Sequence, residues 1–365
     1  MWSLLLSRFA RFDWVLLLAV IVLFAFGATA IYSVGLGKDP QDFSFFYKQL
    51  TTFAIGMGLI VSVGMIHYRL VRNFSVLIYL SACILLISVL FFGNTVRGTR
   101  GWFNILGFGF QPVEFVKLAL IIFLAAYFDK YTRQITQLRH IFISAAIASI
   151  PIGLVALQPD FGSAVVLFLI WLGMILVSGI PKRYFFTLVV LIVVGLGVCW
   201  FFVFKDYQKD RILTFVNPSK DVSGRSYNVI QAQIAVGAGQ IFGRGLGSGT
   251  QSHLKFLPEN QTDFVFAVLA EEMGLVGITV ILLFWVLLFY RLSQGMRRSR
   301  DDYALFVCLG VALMFGAGMA INIGGTIGLM PVTGLVLPFI SYGGSSLLAS
   351  MMAVGLIQGI RSHSG

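Results

Sequence analysis

Acidic residues inside apolar sequence are the first sign of chemistry in this chain. Residues 256–272, FLPENQTDFVFAVLAEE, run from a polar stretch into a long apolar one, with Asp263 at the junction. Glu271 and Glu272 follow two turns deeper, where an ionised carboxylate is costly and requires a functional reason. A carboxylate at the boundary between water and an apolar medium can accept a proton, so Asp263 is a candidate general base.

A structural role for Asp263 is also open, because it could be the N-cap of a helix predicted over residues 263–290. Thr262, one residue earlier, is an equally suitable cap and would leave the Asp263 carboxylate pointing into a cavity. The two roles predict opposite results for Asp263→Asn. Asn is a good cap, whereas it cannot accept the proton that a general base removes.

A second polar group combines Arg97 and Arg100 with a following helix that carries Glu114 and Lys117. Residues three apart share one face of a helix, so the glutamate and the lysine are expected to form a pair within the apolar region. The pair would either fix helix packing or bind substrate. The residues alone leave both roles open.

A third polar group is Gln158-Pro159-Asp160, where the chain turns between two apolar runs. Asp160 is predicted to cap the following helix, because Asp is among the preferred N-cap residues. A capping carboxylate interacts with backbone N–H groups, which keeps it ionised. Asp160 is therefore a weaker candidate base than Asp263.

The fourth polar group, residues 322–346, contains prolines and many glycines in an otherwise apolar sequence. Irregular backbone at membrane depth is tolerated only where it is buried in protein or lines a cavity, so one of these two settings is expected for this segment. Broken helices also mark transporters, but the first half of this chain has no matching interruption. GxxxxGKS, HExxH and GxSxG motifs are absent, and the scattered histidines do not predict a metal site.

The composition shows the setting of these groups. Of the 365 residues, 58% are hydrophobic and 11% are charged, and the mean hydropathy of +0.91 is too high for a soluble chain of this length. The formal charge of +11 lies in loops and not on a basic helix, so nucleic-acid binding is not expected. The three cysteines lie inside apolar runs, which is typical of packing residues.

Ten apolar runs predict an all-α integral membrane protein with ten transmembrane helices. The run at 263–290 is longer than a bilayer requires, so tilt or a projecting end is expected. Residues 1–365 are predicted to form a single polytopic membrane domain. The runs lie near residues 14–34, 49–66, 74–93, 112–128, 141–157, 161–179, 184–204, 263–290, 303–327 and 338–360.

Basic residues predict how these helices are oriented. They are concentrated in alternate loops, for example at Arg69 and Arg72 and at Arg297 and Arg298, so these loops and both termini are predicted to be cytoplasmic. One large extracytoplasmic loop, residues 205–262, lies between helices 7 and 8 and includes a glycine-rich run. Long loops in compact proteins are commonly functional, so the extracytoplasmic face is the predicted working face.

Together these motifs resemble those of the SEDS family (shape, elongation, division and sporulation), integral membrane glycosyltransferases that polymerise peptidoglycan. The resemblance covers nearly the whole chain, and the run FLPENQTDFVFAVLAEEMG and the short termini are more similar to the elongation branch than to the division branch. The motifs that carry it are Gln111-Pro112 with Glu114 and Lys117, Gln158-Pro159-Asp160, residues 237–250, LPExxTDF at 257–264, Glu271-Glu272 and residues 331–346.

The resemblance implies a substrate, lipid II, which is a disaccharide-peptide on undecaprenyl pyrophosphate. Asp263 matches the essential aspartate of the family in the same TDF context and is the expected general base. The leaving pyrophosphate needs positive charge, for which Arg244 of the outer loop is a further candidate. A divalent cation could assist, but no ligand set demands one, and no cofactor is assigned. The residues expected to bind substrate are Arg97, Arg100, Glu114, Lys117, Asp160, Arg225 and Thr262.

The resemblance also implies a location and a partner. Members act in the bacterial cytoplasmic (inner) membrane, with the active site on the extracytoplasmic side. They work with a class B penicillin-binding protein, whose transpeptidase cross-links the strands, and this branch belongs to the cell-elongation machinery. No SxxK, SxN and KTG set is assembled here, so this chain alone is expected to make uncross-linked glycan. The alternatives are a lipid II flippase, a division-type polymerase and a non-catalytic scaffold.

Overall fold

A computed structural model of the protein describes residues 11–37, 40–96, 98–105, 108–131, 138–179, 225–249, 259–299 and 301–364, with isolated residues between 181 and 209. The described residues are mainly helical. The helices are α1 (Trp14–Leu36), α2 (Ser44–Met65), α3 (Tyr68–Asn73), α4 (Ser75–Phe92), α5 (Pro112–Tyr131), α6 (Leu138–Leu157), α7 (Phe161–Val177), α8 (Arg225–Ala238), α9 (Val265–Arg298), α10 (Asp302–Thr326) and α11 (Gly344–Ser364).

Helices α5 and α10 form the centre of the bundle. Helix α10 contacts α5, α7 and α9, and α5 also contacts α4. Helix α11 packs along α2. Most residues of α5 are buried, which explains why apolar residues occur on all of its faces. The outer surface of α4 exposes Leu77, Leu80 and Ile84, as expected for a helix that faces lipid.

Nine of the ten predicted runs correspond to helices, namely α1, α2, α4–α7 and α9–α11. Six of the described helices are long and apolar enough to cross a membrane. More than half of the seventh run, 184–204, lies outside the described residues. The count of ten helices, the single-domain assignment and the cytoplasmic location of both termini therefore stay predictions.

A small antiparallel sheet between α4 and α5 was not predicted from the sequence. It consists of β1 (Asn94–Val96), β2 (Thr99–Ile105) and β3 (Phe108–Phe110), in that order across the sheet. β2 supplies the aromatic side chains of Trp102 and Phe103, a residue type favoured in strands. The sheet lies at the end of the bundle where α5 begins and forms part of a cavity wall there.

Helix α9 is interrupted at Gly274, whose φ of 64° and ψ of −166° are non-helical. Glycine adopts a positive φ without the steric cost that other residues meet. The break lies within the long apolar run at 263–290. The tilt or projecting end expected for this run stays a prediction. Residues 239–249, here called the glycine loop, bond to both sides of the break. The hydrogen bonds are Arg244 N to Glu271 O, Gly245 N to Glu272 O, Leu275 N to Gln240 O and Val276 N to Ile241 O.

The two deep glutamates are part of this break and not of the cavity wall. Glu271 and Glu272 are both buried. Ser33 of α1 donates its hydroxyl proton to Glu272 Oε1, and the same hydroxyl oxygen accepts the N–H of Gly247 at 3.1 Å. The contact of Glu272 with Ser33 therefore links α9 to α1 and to the glycine loop.

The helix starts test the capping predictions. Asp160 caps α7 as predicted, because its Oδ1 accepts the N–H of Ser163 at 3.0 Å. The prediction that Asp263 or Thr262 caps the next long helix was wrong, since α9 begins after Phe264 in the N-cap position, with no side-chain cap bond. The physical reason is a preceding turn in which the N–H groups of residues 262–264 all bond to the carbonyl of Glu259.

Candidate active site

A cavity of about 750 Å³ lies at the end of the bundle where α5, α7 and α11 begin. The sheet, α8, the turn before α9 and the segment between α10 and α11 form its wall. That last segment is part of residues 322–346, which confirms that irregular backbone in this segment lines a cavity. The carboxylate residues that line the cavity are Glu114, Asp160, Glu259 and Asp263.

Asp263 lies in the turn that precedes α9. Its N–H donates to the carbonyl of Glu259 at 3.1 Å, and its own carbonyl accepts from the side-chain amide of Asn322 at 3.0 Å. The carboxylate faces Gly334, where an added Cβ would lie 3.7 Å from Oδ2. The backbone of Asp263 is therefore fixed on both sides, while its carboxylate contributes to the cavity wall.

Thr262 and Glu259 complete this turn. The hydroxyl of Thr262 donates to both the carbonyl oxygen and Oε2 of Glu259 at 3.3 Å, and both residues line the cavity. Glu259 has a φ of 59°, which is uncommon for a residue with a side chain. Such strained residues are concentrated at functional sites, and here the strain directs one carbonyl to three successive N–H groups.

Glu114 and Lys117 form the ion pair that their spacing predicted. Lys117 Nζ lies 2.6 Å from Glu114 Oε1, and both residues are buried, at 5% and 7% exposed respectively. Glu114 lines the main cavity, and both residues line a smaller void of about 20 Å³ beside it. A buried pair of this kind strongly penalises the loss of either partner alone.

Asp160 uses both carboxylate oxygens within the protein. Oδ1 accepts from Ser163 N, and Oδ2 accepts from the side-chain amide of Gln111 at 3.4 Å. The main-chain N–H of Gln111 in turn donates to Ser345 Oγ at 2.8 Å, and that hydroxyl donates to the carbonyl of Gly109. This network joins the starts of α5, α7 and α11 to the sheet.

The predicted arginines do not gather in the described part of the cavity wall. The Arg100 guanidinium donates to the carbonyls of Phe91 and Gly93 at the end of α4, and Arg100 is not a lining residue. Arg244 is exposed and donates through Nε to the carbonyl of Ala238 at 3.4 Å. Arg97 and the side chain of Arg225 lie outside the described residues.

Lys48, near the start of α2, is the basic residue that lines the cavity in the described part of the chain. The sequence analysis missed it, because a lysine near the start of a span was used only to orient the helices. Its helix is held beside the cavity by Gln49, whose amide donates to the Ser341 carbonyl and accepts from Gly343 N. Among the described residues, no group of three or more His, Cys, Asp or Glu could hold a metal ion.

This fold and site define a multi-pass membrane protein with a carboxylate-lined cavity at one end of its helix bundle. The model of the family described as "Cell cycle protein", which comprises FtsW, RodA and SpoVE, matches residues 9–365. The chain belongs to this family, the SEDS family. Its assignment confirms the resemblance seen in the sequence motifs.

Curated relatives match over almost their full length. The peptidoglycan glycosyltransferase MrdB of Escherichia coli (strain K12) is 33% identical over 351 residues, which cover 96% of this chain and 94% of the relative. A probable peptidoglycan glycosyltransferase FtsW of Trichlorobacter lovleyi is 37% identical over 361 residues, covering 97% and 94%. Both the elongation and the division branch are thus represented, and these identities do not separate them.

Solved structures show the same fold. A chain from a peptidoglycan synthase complex, described as coordinating polymerization and crosslinking, aligns with a TM-score of 0.82 at 30% identity and covers 97% of this chain and 98% of its own. The rod shape determining protein RodA of Thermus thermophilus aligns with a TM-score of 0.71 at 28% identity and covers 96% of each chain.

Proposed function

We propose that this peptidoglycan glycosyltransferase polymerises lipid II in the described cavity, with Asp263 as the general base. In the proposed step, the 4-hydroxyl oxygen of one sugar attacks the anomeric carbon of another unit. The bond from that carbon to the pyrophosphate breaks, the hydroxyl proton passes to Asp263, and undecaprenyl pyrophosphate leaves. A positioned base accelerates such a step by about 10²- to 10⁴-fold.

The observation that carries this assignment is the position of Asp263 in the cavity wall, within the TDF run that matches the essential aspartate of the family. Its carboxylate lies opposite Gly334. Glu114 is paired with Lys117, and Asp160 caps α7, so both of these acids have structural tasks. Asp263 is therefore the acid best suited to meet a sugar hydroxyl.

Positive charge for the leaving pyrophosphate is assigned to Lys48, with Lys117 holding Glu114 in place. Lys48 lines the same cavity as Asp263 and is exposed, so its ammonium can approach a phosphate oxygen. A preorganised cation that stabilises developing negative charge in the transition state lowers the barrier directly. Arg97 and Arg225 remain candidates from the family resemblance.

The cavity is proposed to face the extracytoplasmic side of the bacterial cytoplasmic (inner) membrane. Arg69, Arg72, Arg297 and Arg298 lie at the ends of helices opposite the cavity, and basic residues favour the cytoplasmic side. Lipid II in the bilayer would then present its headgroup to the cavity.

A class B penicillin-binding protein is the proposed partner, and cell elongation is the proposed role. The partner is supported by the similar chain found in a peptidoglycan synthase complex that coordinates polymerization and crosslinking. The role rests on the similarity of residues 256–274 to the elongation branch. Restoration of rod shape in cells depleted of their elongation polymerase would support it, whereas rescue of division alone would contradict it.

The direct test is to purify the chain with its transpeptidase partner, supply labelled lipid II and compare glycan formed by wild type and Asp263→Asn. We expect a loss of at least about 100-fold in turnover, because Asn accepts no proton from the attacking hydroxyl. Glu259→Gln is the matched control, since it removes another carboxylate from the same turn.

Melting temperature and partner binding must be unchanged in both variants. Equal polymer from wild type and Asp263→Asn would contradict the base assignment. Lipid II crossing vesicle bilayers without polymer formation by the wild type would instead favour the flippase alternative.

A further inference from the structure

Three successive carbonyls in the turn before α9 each accept a hydrogen bond from the segment between α10 and α11 or from α10 itself. The carbonyl of Gln261 accepts from Tyr342 N at 2.9 Å, and that of Thr262 accepts from Ser341 Oγ at 2.6 Å. The third carbonyl, that of Asp263, accepts from the side chain of Asn322. The backbone that carries the proposed base is thus held residue by residue.

Asn322 makes the contact nearest to the base. It is 5% exposed, and its Nδ2 donates to the Asp263 carbonyl at 3.0 Å and to the Leu335 carbonyl at 2.7 Å. The orientation of the amide is fixed by these partners, because the opposite orientation would bring its oxygen against two carbonyl oxygens. Both amide protons are therefore used to join two backbone segments.

The position of Leu335 shows what the two hydrogen bonds of Asn322 hold together. Leu335 directly follows Gly334, the residue that faces the Asp263 carboxylate. One side chain consequently fixes both Asp263 and the backbone opposite its carboxylate. We therefore expect a substitution that removes this amide to loosen Asp263 relative to the backbone opposite its carboxylate.

We infer that Asn322 is a positioning residue, which holds the Asp263 carboxylate in the geometry needed to accept the proton of the attacking hydroxyl. The inference rests on the proposed role of Asp263 as general base. A displacement of about 1 Å in a catalytic group can reduce turnover by about 100-fold.

A purely structural tie between α10 and α9 is the alternative explanation for this amide. The buried Oδ1 of Asn322 has no hydrogen-bond partner among the described residues, and an unused buried acceptor costs free energy. An amide with an unsatisfied oxygen is an inefficient structural tie. Its two donated bonds, both beside the cavity, are the better reason for its presence.

The experiment compares Asn322→Leu with Gln358→Met, in the full chain purified with its transpeptidase partner. Gln358 is a matched control, because it is also a buried amide that donates to a carbonyl, that of Asp13, at the opposite end of the bundle. Turnover and KM for lipid II are measured per folded molecule, together with the melting temperature. Asp263→Asn is assayed in parallel.

We expect Asn322→Leu to lower kcat by about 100-fold while KM stays within about threefold of wild type. Gln358→Met should leave kcat per folded molecule near wild type, even where it lowers the melting temperature. Equal kcat values for the two variants would overturn the inference, while an inactive Asp263→Asn would leave the base assignment intact.

A fully active Asp263→Asn would remove the base assignment, and the role of Asn322 would fall with it. If Asn322→Leu does not fold, Ser341→Ala decides the question. It removes the donor to the Thr262 carbonyl in the same turn and should also lower kcat with little change in KM, whereas unchanged kcat would overturn the inference.

Discussion

Buried charge is arranged differently at the two ends of the helix bundle. At the end opposite the cavity, Asp13 forms ion pairs with Arg291 and Arg361, and its main chain exchanges two hydrogen bonds with the amide of Gln358. We call these four residues the Asp13 cluster. It joins α1, α9 and α11, and its two guanidinium groups share one carboxylate within the protein.

At the cavity end, four carboxylates share one space with Lys48 in the described part of the wall. Glu114 has a lysine partner, Asp160 accepts from neutral donors, and Asp263 faces a glycine. Charge at this end is directed towards a space that substrate can fill. We therefore expect the Asp13 cluster to govern stability and the cavity residues to govern turnover.

Asp13→Ala should have the largest effect on stability. It leaves two arginines, which cannot lose their protons, without their carboxylate, so we expect a loss of about 3–5 kcal/mol in the free energy of unfolding. Asp13→Asn is the control, since it keeps an oxygen for the N–H of Leu16 at the start of α1. Unfolding in detergent measures the change, and a large loss of turnover per folded molecule would contradict the comparison.

The Glu114–Lys117 pair is a buried ion pair, as in the Asp13 cluster, but it lies at the cavity end. Lys117→Met should destabilise the protein less than Asp13→Ala does. Glu114 would be left buried, but it can take up a proton, so we expect a loss of about 3 kcal/mol. The double variant Glu114→Gln with Lys117→Met should recover most of that stability without recovering polymerisation. Recovery of both properties would assign the pair to helix packing alone.

Lys48→Met should reduce turnover without reducing stability. Loss of one exposed cation beside the leaving group is expected to cost about tenfold in turnover, less than a fully buried donor would. Lys48→Arg should retain most activity, and Arg69→Met, at the opposite end, should change nothing. Gel assays of labelled glycan measure the rates. Full activity of Lys48→Met would show that another residue supplies the positive charge for the leaving pyrophosphate.

Tyr68→Phe should have the smallest effect. The hydroxyl of Tyr68 in α3 donates to Asp301 at 2.8 Å, so its loss should cost about 1.5 kcal/mol. Burial, then the Asp301 contact, raise the pKa of Tyr68 above its ordinary value of 10.0. The folded state thus favours the neutral phenol. The contribution of the Tyr68 hydroxyl to the free energy of unfolding should therefore decline as pH rises above 10. Tyr68→Phe should lack that part of the decline in unfolding experiments.

Local sequence rules predicted much of this molecule. Apolar runs identified nine described helices, the three-residue spacing of Glu114 and Lys117 predicted their ion pair, and the preference of Asp for N-cap positions predicted the role of Asp160. Each of these features depends on residues close together in the chain. The position of Asp263 at the start of an apolar run made it a candidate base, and the family motif then favoured it over Asp160.

The remaining features depend on contacts between distant parts of the chain. Lys48 lines the cavity only because α2 packs on α11, and Asn322 reaches Asp263 only because α10 lies beside the start of α9. The break at Gly274 was also missed, since glycine is common in membrane helices and signals no break by itself. The capping prediction for Asp263 failed because the turn at Glu259 continues through residue 264, so that α9 begins only after Phe264.

The interruption of α9 makes the stability of this helix in the bilayer depend on a segment that precedes it in the chain. Unbonded carbonyl and N–H groups at Gly274 would cost several kcal/mol in lipid, and the glycine loop is what bonds to them. The groups that the break leaves without helical partners are therefore bonded within the protein. Helix α9 is stable in the bilayer with this interruption only while the glycine loop lies against it.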